Sequence, residues 1–123
     1  MPQSKLDNYL RTYRKNRGFS QREVAFLLSC HSGAKVSRYE RSKRIPPLET
    51  IFAYEVILGM SARELFAGIR ERAEKRARHH MRLLASRLAR KINNPRLARK
   101  VDYLRALAKG DPGELHYEAV PKA

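Results

Sequence analysis

Apolar residues recur at helical intervals through most of the chain. Leu6, Tyr9, Leu10 and Tyr13 predict a helix over about 6–17, with Gly18 as its stop. Ser20-Gln21-Arg22-Glu23 reads as a capping box, in which the Ser20 hydroxyl takes the third helical N–H and Glu23 reaches back. Val24, Ala25, Leu27 and Leu28 supply that helix's apolar face. The polar run Ser29-Cys30-His31-Ser32-Gly33 suits a turn, and a short helix over 33–41 follows, with Ser32 at its N-cap and Val36 and Tyr39 inward. Ile45-Pro46-Pro47 can start a helix but not continue one. The next helix takes 48–58, with Leu48, Ile51, Phe52, Glu55 and Leu58 on the expected inner stripe and Gly59 as stop. Ser61-Ala62-Arg63-Glu64 is a second capping box, opening a fifth helix that holds Leu65 and Phe66 and ends near Gly68.

A long helix is expected over 69–92, striped by Ile69, Ala73, Ala77, Met81, Leu84, Leu88 and Ile92. Glu71–Lys75 and Glu74–Arg78 are favourable pairs four apart. Asn93-Asn94-Pro95 breaks it, Asn94 can cap the next helix, and Leu97, Val101, Leu104 and Ala108 carry that helix to Gly110. No segment alternates with period two for long enough to make a strand. The expected fold is all-α: five helices in 1–68, a basic helical arm or dimerisation segment over 69–109, and a flexible tail over 110–123 rich in turn formers.

Charge follows the same division. The chain of 123 residues carries 27 Lys and Arg against 12 Asp and Glu, a net +15. Residues 1–69 hold a net +6, residues 70–109 a net +11, and the last fourteen a net −2. Eight of the ten Tyr and Phe precede residue 69, so a core belongs to the first part. Charge of this size calls for a polyanion, nucleic acid first and an anionic membrane surface second. The longest apolar run, Val24 to Leu28, is too short to span a bilayer, and 1–15 lacks the apolar stretch of a secretory signal. The expected compartment is the cytoplasm or a nucleoid.

Little points to catalysis or cofactors. There is no carboxylate pair, glycine-rich phosphate loop or nucleophile–base set at workable spacing. The single cysteine, Cys30, forms no internal disulfide and anchors no cysteine-type zinc site. His79 and His80 are adjacent rather than four apart, the wrong spacing for two ligands on a helix. No enzyme, metal or cofactor is expected.

The second and third helices narrow the reading. Two short helices joined by a tight turn cross closely, with Ala25 permitting the approach and Leu28, Val36 and Tyr39 holding the angle. Such a unit pushes its second helix outward, and a lone helix fits the DNA major groove. Residues 6–66 here resemble the Cro/C1-type (XRE-like) helix-turn-helix family. The resemblance is carried by Leu10-Arg11-x-x-Arg14, Gly18 to Ala25, Leu27-Leu28, Val36-Ser37-Arg38-Tyr39-Glu40-Arg41, Pro47-x-Glu49-Thr50 and Leu58 to Phe66, in the family's order. Two departures stand out: the turn is one residue longer, around Cys30 or His31, and Gly33 and Ala34 stand where polar readers often stand; as a minor change, Ser42 replaces a common glycine.

The resemblance implies a sequence-specific regulator of transcription, a repressor acting by occlusion, that binds double-stranded DNA as a homodimer. It assigns base reading to Gly33, Ala34, Lys35, Ser37 and Arg38. It assigns phosphate contact to Gln21, Arg41, Lys43 and Arg44, and a structural ion pair to Arg14 and Glu40. With Gly and Ala at 33 and 34, direct readout leans on Lys35, Ser37 and Arg38. The arm can fold back as a hairpin or pair with a second chain, and its arginines can follow phosphates without reading sequence. The alternative is an antitoxin or adaptor, whose basic helices mask an unidentified acidic protein while DNA binding serves autoregulation. A membrane-surface helix is disfavoured by the small Ala73 and Ala77 and the absence of Trp.

Overall fold

The computed structural model describes residues 5–110 and divides the chain between Arg70 and Glu71 into two compact units. Among the described residues every regular element is helical: α1 Leu10–Asn16, α2 Gln21–Leu27, α3 Gly33–Glu40, α4 Leu48–Leu58, α5 Ala62–Leu65, α6 Ala67–Ala89 and α7 Pro95–Ala108. The tail expected beyond Gly110 lies outside the described residues.

The first unit is built around Leu10, Val24, Ala25, Val36, Tyr39, Tyr54, Leu58, Leu65 and Phe66. Each of α1 to α5 gives at least one residue to this core, which is why helices of only four to eleven residues hold their shape. Their ends are closed locally. The Ser20 capping box forms in both directions. Gly18, Ser29 and Ser42 adopt left-handed backbone at the C-terminal ends of α1, α2 and α3. In each case the next residue's N–H reaches back into the last turn: Phe19 to Arg14 O, Cys30 to Ala25 O, Lys43 to Arg38 O.

Three expectations about this unit change. First, 6–9 do not extend α1. Tyr9 N–H donates to Leu65 O at 2.7 Å and Gly68 N–H donates to Leu6 O at 2.9 Å, pinning that segment as non-helical chain. Second, Gly68 does not end α5. It is the second residue of α6, and a Cβ there would strike the Leu6 and Lys5 carbonyl oxygens. Third, Leu48 and Phe52 are exposed, and Tyr54 takes the inward place between Ile51 and Leu58. Glu55 is half-buried as expected, and its Oε2 receives the Ala62 N–H at 2.5 Å, anchoring α5 together with Ser61 Oγ.

In the second unit α7 returns alongside α6. Asn94 Oδ1 caps α7 by accepting from Leu97 N–H at 2.9 Å, with Pro95 at the first position. Arg82 Nη1 donates to Ala108 O at 3.2 Å, and Ala85, Val101 and Ala108 are buried. The shielded face of α6 is Glu74, Arg78, Met81, Ala85 and Leu88, at spacings of four, three, four and three. The expected stripe is therefore rotated: Ala73, Ala77 and Leu84 are exposed. Glu74 and Arg78 make a pair at 3.6 Å.

Candidate nucleic-acid interface

α3 presents one bare side. Val36 and Tyr39 are buried, while Ala34, Arg38 and Arg41, four and three apart, are exposed along the opposite face. The helix is held from behind. Glu40, the last residue of α3, receives Arg14 Nε on Oε2 at 2.5 Å, Arg14 Nη2 on Oε1 at 3.1 Å and Gln21 Nε2 on Oε1 at 3.1 Å. Arg14 Nη1 also donates to Phe19 O at 2.9 Å. α1, α2 and α3 thus share one buried carboxylate, with only 3 % of its side chain exposed. A bidentate pair whose carboxylate also accepts a third hydrogen bond is the arrangement in which desolvation is offset.

The far end of α3 is fastened by Asn8, a residue that spacing does not single out. Its Nδ2 donates to Tyr39 O at 3.0 Å and to Ser42 Oγ at 3.1 Å, and its Oδ1 accepts from Leu10 N–H. The bond to Ser42 Oγ supports a non-glycine residue in left-handed backbone. Tyr54 packs edge-on against Tyr39, ring centroids 6.4 Å apart, and its hydroxyl is buried with no partner among the described residues. Burial raises the phenol of Tyr54 well above its ordinary range, helped by the nearby Glu40 carboxylate. Burial also raises Tyr39, against the pull of Arg44.

The residues assigned to DNA fall into distinct settings. Ala34, Lys35 and Arg38 line one shallow recess with His31, Ser32 and Arg44, so the turn, α3 and the following loop meet there. Gly33 instead lies against the first turn of α2, where an added Cβ would sit 3.5 Å from Gln21 and Arg22 backbone atoms. Ser37 and Lys35 are half-buried. Arg41, Lys43 and Arg44 are exposed at the end of α3. Gln21 spends its side-chain amide on Glu40. Five residues, Leu28 to Ser32, separate α2 from α3, and Ser32 makes no side-chain cap bond. Cys30 is half-buried at the edge of the core. Among the described residues no three His, Cys, Asp or Glu gather as a metal site would need. No helix among them is long and apolar enough to cross a membrane.

Residues 10–65 match the family model described as helix-turn-helix. The match likens this segment to the Cro/C1-type helix-turn-helix domains, a DNA-binding regulatory fold. No curated protein and no solved structure gives a significant match to the chain.

Proposed function

We propose that this helix-turn-helix regulator binds double-stranded DNA sequence-specifically as a homodimer, and that it represses by occupying a promoter rather than by catalysis. The observation that carries the reading is the exposed line of α3, Ala34, Arg38 and Arg41, opposite a buried Val36 and Tyr39. In this reading the start of α3 enters the major groove. Arg38 pairs with a guanine edge, Ala34 meets a thymine methyl, and Lys35 and Ser37 complete the contact, while Gly33, turned toward α2, serves only to let α3 lie close. Arg41, Lys43 and Arg44 take phosphates beyond the end of α3, and Gln21 takes one at the start of α2 through its backbone N–H. The arm adds sequence-blind affinity through cations on both helices, among them Arg76, Arg87, Arg99 and Arg105. The cytoplasm is the compartment in which such a protein meets its DNA.

Selection of preferred duplexes from a random pool tests this. A two-fold symmetric site is expected. Arg38→Ala should relax preference at one base pair, a loss of about 1–3 kcal/mol of discrimination. Arg44→Ala should lower affinity for all sequences alike and reduce the salt slope by about 1. Retention of full preference by Arg38→Ala would sink the base-reading assignment.

The alternative, an antitoxin or adaptor masking an acidic protein, is favoured by one feature. Leu83 and Leu84 are exposed on the arm beside its cations, a mix that suits an acidic, partly apolar partner. A co-transcribed acidic protein that binds the arm and releases DNA would favour it.

A further inference from the structure

We infer that the protein dimerises through the outer face of α4, with a second copy of the same chain as the occupant. Leu48, Phe52 and Val56 stand four apart and are 66 %, 56 % and 84 % exposed, while Tyr54 and Leu58 on the other side are buried. α4 is thus apolar on both sides, the pattern of a helix buried on both sides, yet only one side is covered. At these exposures the three side chains present on the order of 400 Å² of apolar surface in one line, near the largest patch a monomer usually leaves bare.

Charge selects the occupant. Residues 45–62 contain no Lys or Arg, the longest such stretch in a chain that has 27 of them. Two copies at +15 each repel across almost any pair of faces. α4 is where they can meet without opposing cations. The arm's exposed leucines, Leu83 and Leu84, offer no such place, because Arg82 and Arg87 flank them in the same helix. An acidic partner would be drawn to the cationic faces, and the one fully exposed carboxylate on α4, Glu49, suits the surplus cations of a second copy, Glu55 being turned to the Ala62 N–H. A ridge of residues four apart is also self-complementary, since i±4 ridges of two helices interdigitate. A two-fold axis through Phe52 would set Leu48 of one copy near Val56 of the other.

Two such stripes with their margins bury about 1,000 Å², the lower end for a specific interface, so the dimer is a weak one that DNA tightens. It deepens the operator reading above and rests on that reading for its purpose: one axis would relate two copies of α3.

Sedimentation equilibrium of the full chain tests the face, comparing the natural sequence with Val56→Glu and with Leu84→Glu. Circular dichroism checks that each is folded, and Val56→Ser replaces Val56→Glu should the latter melt early. The natural chain and Leu84→Glu are expected to dimerise, with the dissociation constant raised at least about tenfold in the Val56 variant. Equal dimerisation by the Val56 variant, or a dimer broken by Leu84→Glu alone, would overturn the assignment. So would a natural chain that stays monomeric both free and on DNA. On a duplex from the selection, the Val56 variant should keep affinity for one half-site and lose cooperativity over two. If the natural chain dimerises through α4 but prefers no DNA sequence, the operator reading falls and the dimer face stands.

Discussion

The two units solve the problem of short helices differently. The first buries eight core residues from five helices, with Phe66 just beyond them, and closes its helix ends with side chains and left-handed turns. The second has two helices, and its buried apolar residues beyond Arg70 are Ala85, Val101 and Ala108, two of them no larger than a methyl group. At about 0.8 kcal/mol per buried CH₂, alanines contribute little. The first unit is specified by packing, whereas the second relies on intrinsic helix propensity and on Arg, a good helix former. A domain that must hold α3 at a fixed angle needs the first solution. An arm that lies along a uniform polyanion, as proposed for this one, can use the second.

The largest expected effect that tests this contrast is Glu40→Ala. It leaves the Arg14 guanidinium partly buried without its carboxylate and should destabilise the first unit by about 3–5 kcal/mol, read from urea unfolding. A loss below about 1 kcal/mol would mean that the shared carboxylate does not hold the three helices together. Next comes Gly68→Ala, expected to cost about 2–4 kcal/mol, because the new methyl meets backbone oxygens that cannot swing away. In the arm, Val101→Ala removes the largest fully buried side chain there and should cost about 1–2 kcal/mol. That loss should appear as faster amide exchange in α6 and α7, with α1 to α4 unchanged. A cooperative loss across both units would erase the distinction drawn between them.

Smaller effects sharpen it. Tyr54→Phe deletes an orphan hydroxyl and should leave the first unit as stable or up to about 1 kcal/mol more stable at neutral pH. The phenols of Tyr39 and Tyr54 are both raised on folding. Their contribution is fully present below about pH 10, the unfolded value, and is lost as pH climbs through the folded ones. Melting temperature should therefore fall above about pH 10, and less steeply in Tyr54→Phe. Smallest is Ser29→Gly, which relieves a left-handed residue and should stabilise by about 0.5–1 kcal/mol in thermal melts.

Much of the first unit was legible because its punctuation is chemical. Ser20 and Glu23, Gly18, Gly59 and Pro47 mark ends that depend on local backbone, so α2, α3 and α4 fall where spacing puts them. Faces were harder. α4 is apolar all round, so no stripe separates Tyr54 from Phe52, and burial is decided by neighbours far along the chain. The apolar stripe of α6 steps by four except between Met81 and Leu84, whereas the shielded face alternates four and three and includes Ala85. Among alanines, leucines and arginines that shift of about one residue leaves no mark. Residues 6–9 have helical spacing but are captured by backbone bonds to 65–68, a long-range event. At the interface, the exposed line of α3 was readable from Val36 and Tyr39. The fastening of its far end by Asn8 was not, because helical spacing puts residue 8 inside the first helix and gives no sign of bonds to Tyr39 and Ser42.

The grip on α3 has a consequence for how such a protein can change. Every side-chain bond that fixes α3 to the rest comes from its core face and its last residue, through Glu40, Tyr39 O and the neighbouring Ser42. Ala34 and Arg38 take no part in that fastening. The letters that face outward can be rewritten while the mounting stays as it is. Under the base-reading role proposed for them, grafting other side chains at 34 and 38 is a route to retargeting the domain, with little expected effect on its stability.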